Sequence, residues 1–206
     1  MSVSHARRSG DLRTIVLLAI FTAIEIIFCF TVLGSLPIGP IVATLAHIPV
    51  IIAALMLGKK AGLYMGFVMG ICSFIVWSFM PPNPAIAFAF SPLAPYGNFW
   101  SLVICIVPRA LFPVICVMIF DAMRKRFKMP VCAAVAAFVS TALHSLMVLS
   151  LIYFCFSGNS AISDYIGATY VKFMVAWGGI NAVMEVILAG VVAAGVIVPL
   201  KKVSAN

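Results

Sequence analysis

Six long apolar runs, separated by short polar or proline-rich stretches, make up most of the chain. They cover roughly residues 14–34, 41–57, 61–80, 99–123, 130–156 and 170–200. About 20 apolar residues carry a helix across a bilayer, so each run is near or above spanning length, the second being the shortest. The pattern predicts an all-α membrane protein of six transmembrane helices. It forms one domain over residues 1–206 with no room for a separate soluble unit. Leu36-Pro-Ile-Gly-Pro40 reads as an outer turn, and Gly58-Lys-Lys-Ala-Gly62 as a tight cytoplasmic turn. The third and fourth runs are joined by PPNPAIAFAFSPLAPYGN, with five prolines between Pro81 and Pro95 and no charge before Arg109. Proline interrupts helix there. Residues 81–98 are rich in Phe and Ala, and a loop that avoids charge beside a membrane is expected to fold back as a lid.

Composition fixes the environment. The chain is 65% hydrophobic and 9% charged, with a mean hydropathy of +1.23. Soluble domains carry about 25% charged residues, so this is a multi-pass protein of the cell membrane. The formal charge of +8 does not point to nucleic acid. Eleven of the thirteen Lys and Arg fall in four clusters: Arg7, Arg8 and Arg13; Lys59 and Lys60; Arg124, Lys125, Arg126 and Lys128; Lys201 and Lys202. They mark every second loop, which by the positive-inside rule puts both termini in the cytoplasm. The six cysteines form no CxxC pair and read as small buried hydrophobes. Arg7 and Arg8 ahead of an apolar run resemble a signal peptide. No small-x-small site closes that run, so it is expected to be retained.

Few polar groups lie inside the spans: Glu25, His47, Arg109, His144, Asn181 and Glu185. An arginine at mid-span costs roughly 2.5–3.5 kcal/mol on insertion scales and marks a functional site by default. Arg109 is bracketed by Pro108 and Pro113. It either anchors a small anionic or polar ligand or bridges to Glu25 or Glu185. Trp177, Asn181 and Glu185 are spaced by four, so on a continuous helix they share a face suited to a ligand. The alternative is hydrogen bonding between helices. His47 is a ligand contact or a structural histidine, and Pro49 should loosen the helix just after it. Gly58, Gly62, Gly66 and Gly70 form a ribbon for close helix packing, and Ala19 and Ala23 offer a second small-residue face. Ser140, Thr141, His144 and Ser145 make the middle of the fifth run polar.

The chain has no GxxxxGK[ST], HExxH or GxSxG motif, so nucleotide, zinc-protease and serine-hydrolase chemistry are unsupported. No metal or cofactor is expected. Two other readings stay open: a metal-dependent membrane hydrolase using Glu25, His47 and His144, and an autonomous proton-coupled carrier using Glu185.

LPIGPIVATLAHIPVIIAALMLGKKAG (residues 36–62), FAFSPLAPYGNFWSLVICIVPR (88–109) and NAVMEVILA (181–189) resemble the substrate-binding S components of energy-coupling factor (ECF) vitamin transporters. The Ala19/Ala23 pair is similar to the AxxxA of that family's first helix. The resemblance covers nearly the whole chain and implies a binding and transport subunit, not an enzyme. Such a subunit would capture a vitamin from outside and deliver it through a membrane scaffold subunit and two ATPases. The Ala19/Ala23 face would meet the scaffold. The FSP-containing loop and the HIP stretch look most like the pantothenate-type branch, with riboflavin or another vitamin as the alternative. The expected substrate contacts are Arg109, Asn181, Glu185, Trp177 and His47 in the spans, with Ser91 and Asn98 in the outer loop.

Overall fold

A computed structural model describes residues 2–31, 34–38, 41–159 and 169–205. Within these, the side chains of 2–11, 35–38, 41–44, 180, 181 and 201–205 are outside the description. The chain is overwhelmingly helical. Helix α1 is Ser2–Phe30, α2 is His47–Leu57, α3 is Lys59–Phe79, α4 is Phe99–Met123, α5 is Met129–Phe156 and α6 is Tyr170–Ala205. Among the described residues, five stretches are long and apolar enough to cross a membrane: Leu12–Phe30, Lys59–Phe79, Phe99–Met123, Met129–Phe156 and Ala182–Leu200. The polar stretch at 157–169 between the fifth and sixth apolar runs, with Asp164, lies largely outside the described residues.

The second apolar run departs from expectation. It does not become one helix from Ile41. Strands β1 (Ser35–Ile38) and β2 (Ile41–Thr44) pair antiparallel, and helix begins only at His47. At 1.5 Å per residue, the 11 residues of α2 reach about 16 Å, short of a hydrocarbon core of about 30 Å. Non-helical backbone at membrane depth is tolerated where protein encloses it. Helix α2 itself is enclosed: His47 and every residue from Pro49 to Leu55 are buried, with α1, α3, α4 and α6 packed around it. Pro49 does not loosen this helix. It sits in the first turn, where no intrahelical N–H is required.

Gly58 ends α2 and starts α3 at φ +91, a backbone conformation suited to glycine. The glycine ribbon then packs α3 on α4. A Cβ at Gly66 would collide with the Arg109 carbonyl oxygen, and one at Gly70 would lie 3.1 Å from the Ile106 Cα. Pro113 has no N–H, so that carbonyl lacks its regular helical donor. The Gly66 Cα packs against this oxygen. Small residues here do what they do between membrane helices generally, letting backbones touch.

The fifth helix packs against α4 and α6, and α6 is interrupted at Gly179 (φ −7, ψ −114). Helix α1 is peripheral. It packs on α2 and α3 through Leu18, Phe21, Thr22, Glu25, Phe28 and Cys29, leaving Ile15, Val16, Ala19, Ile20, Ala23 and Ile27 exposed. Lys59, Lys60 and the run Arg124–Lys128 are exposed at the end of the bundle opposite the hairpin and the 80–98 loop.

Replacing Gly66 by valine forces α3 away from α4. We expect a loss of about 1–3 kcal/mol in stability, read as a lower melting temperature in detergent. The same change at exposed Leu63 is expected to leave the melting temperature within error.

Candidate functional site

The 80–98 loop does fold back over the bundle. Pro84–Ala89 forms a 3-10 helix whose start is capped by Asn83, with Oδ1 accepting from Ala85 N at 3.1 Å. Ala87, Phe88, Ala89, Phe90 and Ser91 are buried. Phe88 meets Phe156 of α5 edge-on at 5.1 Å, and the Ser101 hydroxyl donates to the Phe88 carbonyl at 2.6 Å. The same hydroxyl oxygen accepts from the Asn98 N–H at 3.0 Å, while Asn98 Oδ1 caps Trp100 N at 2.9 Å. One capping box therefore starts α4 and pins the lid to it.

Beneath the lid lies a cavity of about 350 Å³. Pro82, Asn83, Ile86 and Phe90 of the loop roof it, and Gly34 and Ala46 flank the hairpin side. Ser73, Val76 and Trp77 come from α3, and Arg109 from α4. His144, Ser145, Val148, Leu149 and Ile152 form one stripe of α5, and Trp177, Gly178, Ala182 and Glu185 come from α6. The composition is that of a small-molecule site, with aromatic walls and a few convergent polar groups.

Arg109 is 8% exposed. Its Nη1 donates to the Cys105 carbonyl one turn back at 2.8 Å, and its Nε is buried without a partner. The Phe90 ring of the lid lies 5.3 Å from the guanidinium carbon, and Trp77 packs on Phe90 at 4.7 Å. This is cation–π geometry. No ion pair within 4.0 Å joins Arg109 to Glu25, so that structural bridge is absent. Glu25 is fully buried behind Cys29, whose Sγ donates to Oε1 at 3.3 Å. The chemistry available is that of a buried cation in a cavity wall: it fits an anion, with hydroxyl, imidazole and carboxyl groups nearby for polar ligand atoms.

The structure brings three of the expected contacts to this cavity: Arg109, Trp177 and Glu185. The Asn181 side chain lies outside the described residues. The break at Gly179 means that Trp177 and Glu185 do not share a face by helical spacing; they meet at the cavity from either side of it. His47 is buried behind the wall, within electrostatic reach of Glu185, with Nε2 unpartnered. Ser91 and Asn98 are not in the cavity lining. Ser91 bonds Ser78 at 2.7 Å and accepts from Leu93 N at 3.1 Å, and Asn98 is the helix cap. Sequence reasoning passed over Asn83 and Phe90, and noted Ser145 as polar without assigning it to a site. The signal for Ser145 was present, since residues 145, 148, 149 and 152 recur at helical spacing.

A second hollow of about 450 Å³ opens toward the lipid between α5 and α6, but Ser145 is the one polar side chain among its described lining residues. It lacks the convergent polar groups of the lidded cavity.

A family model described as "ECF transporter, substrate-specific component" matches residues 13–197. The chain belongs to this family. It is thus the substrate-capture subunit of an ECF transporter, a multi-pass membrane protein, and its family is one of transport components and not of enzymes. It is also 29% identical over 202 residues to the pantothenic acid transporter PanT of Lactococcus lactis subsp. cremoris (strain MG1363), covering 93% of this chain and 95% of that protein. Among the described residues, no three His, Cys, Asp or Glu side chains gather into a metal-binding group.

Because Ser101 ties the lid to α4, Ser101→Ala should loosen the lid. Hydrogen exchange over residues 84–98 is expected to speed up by about tenfold, the equivalent of roughly 1 kcal/mol, with α5 unchanged.

Proposed function

We propose that this S component binds pantothenate from outside the cell and passes it to an ECF scaffold subunit driven by two ATPases. The observation that carries the reading is the buried Arg109 guanidinium in the wall of the cavity beneath the 80–98 loop. Guanidinium pairs with carboxylate through parallel hydrogen bonds, and a desolvated pair is the stronger for it. Pantothenate carries one carboxylate, one amide, two hydroxyls and a pair of methyl groups. Arg109 takes the carboxylate. Ser145, His144, Glu185 and Asn83 supply donors and acceptors for the amide and hydroxyls, with Asn181 four residues before Glu185 in sequence. Trp77, Phe90 and Trp177 pack the carbon skeleton. His47 supports Glu185 from behind. The likeness to a pantothenic acid transporter over nearly the whole of both chains agrees with this substrate.

On this reading the chain crosses the membrane six times, with α2 and the hairpin together making the second pass. Both termini lie in the cytoplasm, as the four basic clusters demand. The lid then faces outward. The scaffold docks on α1 at Ala19 and Ala23. Both are exposed, on a helix with few contacts to its own bundle.

Arg109→Ala is expected to weaken pantothenate binding by at least about a hundredfold in calorimetry, with the helical circular-dichroism signal retained. Unchanged affinity would remove Arg109 from the site. Ala19→Trp or Ala23→Trp should leave that affinity intact and block uptake into proteoliposomes holding the complete transporter. Surviving uptake would put the docking face elsewhere.

A further inference from the structure

The lidded cavity and the lipid-facing hollow lie back to back. They share four lining residues: Ser145 and Leu149 of α5, and Gly178 and Ala182 of α6. Three of these are small. The partition between a space of about 350 Å³ and one of about 450 Å³ therefore has a single large side chain, Leu149. Its place is set from both sides. A Cβ on Gly178 would lie 2.7 Å from Leu149 Cδ1, so the leucine methyl occupies the position a side chain there would take. Toward the lid, Leu149 packs against the cluster that holds Phe88, Phe90 and Ile152. A Cβ on Gly179 would meet nothing within 4 Å, and α6 is interrupted at that residue, so across 178 and 179 this helix adds no side chain to the wall.

The two spaces differ in chemistry. Arg109 and Glu185 line the lidded cavity and not the hollow. Phe138, Leu146, Val183 and Ile187 line the hollow and not the cavity, and all four are exposed. We propose that Leu149, seated on Gly178, is a specificity-determining residue that limits ligand length: a ligand held at Arg109 by its carboxylate ends against Leu149, which closes the apolar space behind it. The inference rests on the pantothenate reading above and deepens it. The end of pantothenate remote from its carboxylate carries the geminal methyls and the primary hydroxyl. The methyls pack on Leu149, and Ser145, one turn before it on α5, offers the hydroxyl a partner.

The consequence is steric. Carbons added at that hydroxyl must displace Leu149 or fold back within the cavity, and either lowers affinity. Shortening Leu149 joins the two spaces, and an alkyl arm then enters a hollow already lined by apolar side chains.

The test is calorimetry on the full chain in lipid nanodiscs with pantothenate and with its methyl and butyl ethers at the primary hydroxyl. The methyl ether is the reference, because it has already lost the hydroxyl proton. Wild-type protein is expected to bind the butyl ether at least about tenfold more weakly than the methyl ether. Leu149→Ala should abolish that difference, and the milder Leu149→Val should reduce it. Leu146→Ala, which alters the hollow alone, should leave it as in the wild type. Equal binding of both ethers by the wild type overturns the inference. So does a butyl penalty that persists in the Leu149 variants, one that vanishes equally in Leu146→Ala, or a methyl ether refused by wild type and Leu149→Ala alike. Should Leu149→Ala fail to fold, Leu149→Val decides. Absence of pantothenate binding by the wild type would instead remove the functional reading, and the inference with it.

Discussion

A guanidinium in the middle of a membrane bundle is the constraint around which this protein is built. An isolated charge there is costly, and it persists only where the protein or a wet cavity surrounds it. Arg109 has a single hydrogen bond to its own helix, an aromatic ring above it and a cavity in front. The neighbouring features follow from holding it there. The Gly66 contact brings α3 against the backbone of Arg109 itself, at the carbonyl that Pro113 deprives of its donor. The lid is fixed by hydrogen bonds at its far side, so that Phe90 rests over the charge.

The remaining architecture divides into a cup around the cavity and one peripheral helix. Helices α3, α4, α5 and α6, with the lid, form the cup. Helix α1 touches only part of the bundle and exposes most of its apolar surface. A capture subunit without an energy source of its own needs both: an enclosed site that holds cargo, and a surface smooth enough for another membrane protein to engage. Among the described side chains of α1, Glu25 is the one buried charge-bearing group, and its partner Cys29 lines the cavity, so this helix and the cavity are physically adjacent.

Much of this was legible in the sequence because membrane burial leaves few places for polar atoms. Arg109, Trp177 and Glu185 stand out against apolar surroundings, and each lines the cavity. That residues 81–98 pack on the bundle was legible because five prolines and no charge exclude both a long helix and an ordinary polar loop. The hairpin was not. Ile41–Thr44 is apolar and continuous with the run that follows, and a short apolar run does not reveal by periodicity whether it is strand or helix. Ser91 and Asn98 take structural partners here: polar residues at a loop–helix junction serve caps as readily as ligands, and Ser91 bonds Ser78 while Asn98 starts α4. Gly179 broke the spacing argument for α6, since periodicity presumes an uninterrupted helix.

The most direct test is an experimental structure of the protein with pantothenate bound. The account predicts the ligand enclosed beneath residues 82–90, its carboxylate within hydrogen-bonding distance of the Arg109 guanidinium. A ligand lodged in the lipid-facing hollow between α5 and α6, or one whose carboxylate is met by other groups while Arg109 pairs with Glu25, would contradict it.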